Sequence, residues 1–100
     1  MSYGKYILKG KKPVLEPNLL RWGKWFETGN RNVGKDNIND IKVSTVFLGL
    51  DHSFGHGKPL LFETMIFGGK HDEYQERYES WEEAEEGHKK AVKMVEENND

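Results

Sequence analysis

The chain has 100 residues, enough for one hydrophobic core and too few for two, so a single domain over residues 1–100 is expected. With 35% hydrophobic and 32% charged residues, no cysteine and no apolar run near the ~18 residues of a bilayer span, the composition excludes whole-chain disorder, disulfides, thiolate metal sites and a transmembrane segment. The net charge of −2 hides a split: residues 1–71 carry 11 Lys and Arg against 6 Asp and Glu, and residues 72–100 carry 4 against 11, a pattern expected to hold the two parts together within one fold.

Tyr6, Ile7 and Leu8 predict a short edge strand that ends at Gly10–Lys11–Lys12–Pro13, its lysines discouraging further pairing. Pro17 suits a first helical position, and Leu19, Leu20, Trp22, Trp25 and Phe26 recur near a spacing of 3.6, so a helix is predicted over 17–28, stopped by Gly29 and Asn30. Residues 30–40, rich in Gly, Asn and Asp, read as a loop or an irregular hairpin. Residues 41–50 are the strongest strand, and 60–67 a second one returning antiparallel through the glycine-rich connection 51–59. Residues 73–78 add a short strand after Gly68–Gly69. A final helix opens on the capping box Ser80 and Glu83, with Trp81, Ala84, His88, Ala91 and Val95 on one face and a frayed tail from about residue 96. The fold class that follows is α+β, a three- to four-stranded antiparallel sheet with the two amphipathic helices packed on one face. The other face, crowded by Val46, Leu48, Leu50, Leu61, Met65 and Phe67, is expected to pair with a second copy or to lie under the 29–40 loop.

Residues able to do chemistry gather around the connection between the two long strands. Asp51, His52 and His56 lie within six residues and Glu63 sits on the returning strand, which are ligand types for a hard or borderline metal. The His52/His56 spacing falls in a segment broken by glycine and proline, so it lacks the helical face that a zinc-protease pair needs. Alternation along the strand puts Glu63 on the solvent side; burial would instead demand a cationic partner. His88, within an apolar stripe beside Gly87, reads as a hydrogen-bonded boundary residue, and the three tryptophans read as core. No phosphate loop, no G-x-S-x-G and no cofactor motif is present, and the mildly acidic balance argues against nucleic acid as a partner.

Three stretches carry a resemblance: Val43-Ser44-Thr45-Val46-Phe47-Leu48-Gly49-Leu50-Asp51-His52, then Pro59-Leu60-Leu61-Phe62-Glu63-Thr64-Met65-Ile66-Phe67-Gly68-Gly69, and Arg77-Tyr78-Glu79-Ser80-Trp81-Glu82-Glu83-Ala84. Together with Trp22, Lys24, Trp25, Phe26 and Glu27, they make residues 5–95 similar to a family of small proteins encoded by bacteriophages and prophages, a pattern that includes neither His56 nor His71. The resemblance implies an accessory protein in the host cytoplasm and brings no activity with it. The expected function is non-enzymatic: a homo-oligomer binding a host protein or sequestering a small anionic ligand, with Asp51 and His52 giving directional hydrogen bonds, Glu63 an anchoring carboxylate and Arg77 a positive charge. A metal-dependent hydrolase using Asp51, His52 and Glu63, and nucleic-acid mimicry by Glu82, Glu85 and Glu86, are the competing readings.

Overall fold

The computed structural model describes residues 4–53 and 57–97. In chain order the elements are β1 (Tyr6–Lys9), β2 (Lys12–Leu15), α1 (Leu19–Thr28), β3 (Asn32–Ile38), β4 (Ile41–Phe47), β5 (Phe62–Phe67), β6 (Gln75–Tyr78) and α2 (Trp81–Glu97). The class is α+β. An antiparallel meander runs β3-β4-β5-β6, and β1 pairs with β2 in a separate antiparallel hairpin.

The register explains the core. Phe47 lies opposite Phe62, Thr45 opposite Thr64, and Val43 opposite Ile66, so these three pairs share one face, and α2 covers it. Ala84, His88, Ala91 and Val95 are the buried positions of α2, the stripe expected from the 3-4-3-4 spacing. One apolar cluster holds Leu8, Phe47, Leu61, Phe62 and Ala84; a second holds Val43, Ile66, Ala91 and Val95. Rings link the elements in the first cluster: Trp25 meets Phe47 edge-on at 5.6 Å, Phe47 meets Phe62 at 5.3 Å, and Phe62 meets Trp81 edge-on at 6.2 Å.

Several expectations change. Of the two readings of the 30–40 segment, loop or irregular hairpin, the structure shows the hairpin: β4 is apolar enough to be buried and needs a hydrogen-bonded neighbour on both edges, and β3 supplies one as a polar edge strand with a register shift between Asn32 and Gly34. The Tyr6-Ile7-Leu8 strand pairs with β2 and stays out of the main sheet. Helix α1 begins after Asn18, whose side chain accepts from the Arg21 N–H at 3.0 Å, and Pro17 precedes the cap. It has no buried residue; it leans on β1 and reaches the sheet only through Trp25, so α2 is the one helix packed along the sheet face. The opposite face is less apolar than expected: Leu61 belongs to the core, and Lys42 lies over the ring of exposed Phe67 at 5.4 Å. His56 and the tail beyond Glu97 lie outside the described residues.

Gly87 shows how closely α2 sits. A Cβ there would collide with the Tyr78 hydroxyl, which occupies that space. Helix propensity favours Ala over Gly by ~1 kcal/mol, while overpacking a tight contact costs ~1–3 kcal/mol. Gly87→Ala is therefore expected to destabilise the fold by about 1–2 kcal/mol in urea unfolding. A stabilised variant would show that Tyr78 yields freely.

Candidate functional site

Asp51 and His52 sit where the chain leaves β4. The Asp51 carboxylate accepts from the Ser53 N–H at 2.8 Å, the Ser53 hydroxyl at 2.9 Å and the Leu60 N–H at 3.0 Å, closing the connection across its base. The His52 Nδ1–H donates to the Leu50 carbonyl at 2.8 Å, and its backbone N–H donates to the Leu60 carbonyl at 3.0 Å. Burial pushes the Asp51 carboxyl up, but the three hydrogen bonds and neighbouring His52 outweigh it and hold the group below its ordinary 3.8. Both oxygens of Asp51 thus face the protein's own donors.

Glu63 and Arg77 face each other across β5 and β6, on the side of the sheet away from α2. Alternation placed Glu63 on this side, yet the residue is only 9% exposed, which corrects the solvent-exposed expectation. The cation that burial demands is present: Arg77 Nε donates to Glu63 Oε2 at 2.9 Å, and Gln75 Nε2 donates to the same oxygen at 2.7 Å. Arg77 therefore meets an internal carboxylate before any external anion. The structure does not gather Asp51 and His52 with Glu63. Leu60, bonded to Asp51, lies three residues before Glu63, ~10 Å along an extended chain, and among the described residues no group of three or more His, Asp and Glu is placed to hold a metal.

A polar cluster that the sequence reading missed lies between the two apolar clusters. Thr64 and Thr45 share a hydrogen bond of 2.5 Å, Thr45 Oγ1 lies 2.7 Å from His88 Nδ1, and His88 Nε2 lies 2.6 Å from Asp36 Oδ2. With a neutral imidazole the direction is fixed: Nε2–H donates to the Asp36 carboxylate, Nδ1 accepts from Thr45, and Thr45 accepts from Thr64. His88 was legible as a hydrogen-bonded histidine; its partners were not, because Asp36 lay in a segment read as a loop or an irregular hairpin, which fixes no register against β4. The side-chain types are those of a nucleophile–base–acid relay, but Thr45 is fully buried, out of reach of any substrate. Gly34 makes room for the imidazole, since a Cβ there would come within 2.9 Å of the ring.

Comparison of the chain with protein-family models, with curated proteins and with solved structures finds no match.

Because the Asp51 carboxyl is depressed in the folded state, its contribution is full above the unfolded value of 3.8 and is lost as pH falls through the lower folded value. The stability gap between wild type and Asp51→Asn should be constant near neutrality and shrink below about pH 4, followed by urea unfolding across pH. A gap that widens in acid would reverse the assignment. For the second pair, Arg77→Ala strands a largely buried carboxylate and should cost about 1–3 kcal/mol, whereas the same change in a Glu63→Gln background should cost at least ~1 kcal/mol less. Additive losses in that double-mutant cycle would mean that the contact contributes nothing.

Proposed function

We propose that this chain is a non-enzymatic accessory protein, of the phage or prophage kind its motifs resemble, that acts by binding another protein chain, a second copy of itself first. The observation that carries the reading is the state of α1. Leu15 just before it is 56% exposed, Leu19 is 62% and Leu20 is 84% exposed, and no residue of the helix is buried. Its aromatic side is already occupied: Trp22 stacks on Phe26 at 4.9 Å, Trp22 Nε1 donates to the Gly49 carbonyl at 3.0 Å, and Trp25 meets Phe47.

A ten-residue helix is marginal alone, and each leucine left in water forgoes ~1.5–3 kcal/mol of burial. Three such residues within six positions form an anchor of the helix-in-groove kind. Exposed Arg21, Lys24 and Glu27 flank them with both signs of charge, which suits a two-fold partner running antiparallel, cations of one copy against the carboxylate of the other. The open sheet face is a poorer candidate, since Lys42, Ser44, Glu63, Gln75 and Arg77 lie on it.

Among the described residues, the side chains best suited to chemistry already have internal partners, which favours binding over catalysis. Asp51, Glu63 and Arg77 are engaged with internal partners, and the Thr45–His88–Asp36 chain has a buried hydroxyl at its would-be nucleophile. Nothing specific favours acid mimicry by α2, where Lys89 and Lys93 lie 3.6 and 3.9 Å from Glu86 and Glu97.

Size-exclusion chromatography with light scattering tests the reading on the chain alone. The wild type is expected to be a dimer or larger at tens of micromolar, and Leu20→Glu or Leu19→Glu a monomer with an unchanged circular dichroism spectrum, since exposed substitutions cost within ~0.5 kcal/mol. A wild type that is monomeric throughout, or variants that associate equally well, would overturn self-association through this ridge.

A further inference from the structure

We infer that the groove between the β1–β2 turn and the start of α2 is a binding site for a small phosphorylated anion. This site lies apart from the α1 ridge and does not depend on it. The groove, about 440 Å³, is lined by Lys9, Lys11, Lys12, Pro13, Ser80, Trp81 and Glu82, a volume within the ~300–1,000 Å³ of small-molecule sites.

The placement of the lysines is costly without an anion. Lys9 and Lys12 are direct partners across the hairpin, where like charges destabilise, and Lys11 occupies the turn between them. Among the described residues none of the three forms an ion pair. Lys11 Nζ instead lies 5.8 Å from the centroid of the Trp81 ring, a cation–π contact that holds its ammonium over the groove wall. A second groove of about 280 Å³, lined in part by Tyr6, Lys58, Leu61 and Glu79, shares Lys12 and Pro13 with the first and adds a fourth cation. Four ammonium groups thus stand around the two grooves against the carboxylates of Glu79 and Glu82.

The chemistry of the ligand follows from this set. Lysines are point charges that suit phosphate oxygens, and several set around one groove suit an anion of more than one charge, where a monocarboxylate would neutralise only one. The α2 N-terminus adds to the same side: Ser80 caps the Glu83 N–H at 3.1 Å, which leaves the Trp81 and Glu82 N–H groups without an intrahelical acceptor at the groove. Pro13 and Trp81 give a flat apolar wall for an uncharged portion such as a nucleoside, and among the described residues Trp81 Nε1 is buried without a partner. A long phosphodiester chain fits less well. Beyond Glu82 the helix continues with Glu83, Glu85 and Glu86, which would repel an extended polyanion leaving the groove.

Thermal unfolding and calorimetric titration at low salt, with pyrophosphate and ADP as probes, test the assignment. In the wild type, and in Lys35→Ala with its change on distant β3, both probes are expected to bind saturably and raise Tm. In Lys11→Ala/Lys12→Ala, affinity should fall by about tenfold or more. Lys12→Glu places opposite charges across the hairpin and should match or exceed the wild-type Tm without ligand while losing the ligand-induced rise, which separates binding from folding. Three results would overturn the proposal: no saturable binding of either probe, equal affinity in the double variant, or a Tm rise reproduced by sulfate at matched ionic strength. Tighter binding of a single-stranded oligonucleotide than of ADP, lost in the same variants, would replace the small molecule by nucleic acid.

Discussion

The hydrogen-bonded chain Thr64–Thr45–His88–Asp36 ties β5, β4, α2 and β3 together, and the arrangement of the rest follows from it. It lies as a polar layer between two apolar clusters, in line with the central pair of the three cross-strand pairs that face α2. A buried imidazole and two buried hydroxyls must be satisfied or they cost several kcal/mol, so only one placement of the helix over the sheet is acceptable. Sliding α2 by one turn would carry His88 into an apolar cluster and leave both threonines facing methyl groups. The apolar stripe alone would tolerate such a shift; the polar layer does not. It also accounts for Gly34, whose missing side chain gives the imidazole its place above β3.

Once α2 is fixed, the remaining surfaces are constrained. Leu8 from β1, with Trp81 packed nearby, fills the first cluster at the end of the sheet, so little apolar volume is left for α1. That helix is consequently held by one row of rings, and its leucines have nowhere inside to go. On the far face of the sheet, where no described helix packs, Arg77 and Gln75 of the edge strand β6 bond the Glu63 carboxylate. The result is a domain whose two sheet faces are met by different means, with the most exposed apolar side chains, Leu15, Leu19 and Leu20, at the end of β2 and the start of α1.

What the sequence made legible was what periodicity controls. Strands β4 and β5, the antiparallel return between them and the whole of α2 follow from alternation, a glycine-rich connection and a capped amphipathic stripe. The turn that Asp51 closes is local and needs no tertiary information, so it lay within reach of the sequence alone. Strand β3 was legible only as one of two readings, loop or irregular hairpin, because an edge strand in contact with water carries the same Gly, Asn and Asp as a loop, and only its pairing with β4 distinguishes the two. Asp36 was missed with it. The lysine cluster was hidden for a similar reason: Pro13 reads as the end of a strand, yet in a two-stranded hairpin it is tolerated at an edge, and only then does Lys12 face Lys9. Exposure of α1 is a tertiary property, since its apolar spacing is that of any core helix.

The charge split along the chain gains a different meaning in the folded molecule. An acidic last third and a basic first part were expected to attract one another, yet among the described residues the two ion pairs between them run the other way: Glu63 and Asp36 are acids of the basic part, and Arg77 and His88, their partners, belong to the acidic part. The most concentrated opposition, Lys9, Lys11 and Lys12 beside the first turn of α2, is not discharged by pairing; the contact there is between Lys11 and a neutral indole. Glu83, in the same first turn, is turned to the Glu79 N–H and the Ser80 hydroxyl in the cap. The helix thus uses that acid to close its own terminus, and cations remain around an open groove at the same end. Long-range attraction between the two parts of the chain can draw hairpin and helix together without satisfying the lysines locally. An external anion is the complement that this arrangement lacks.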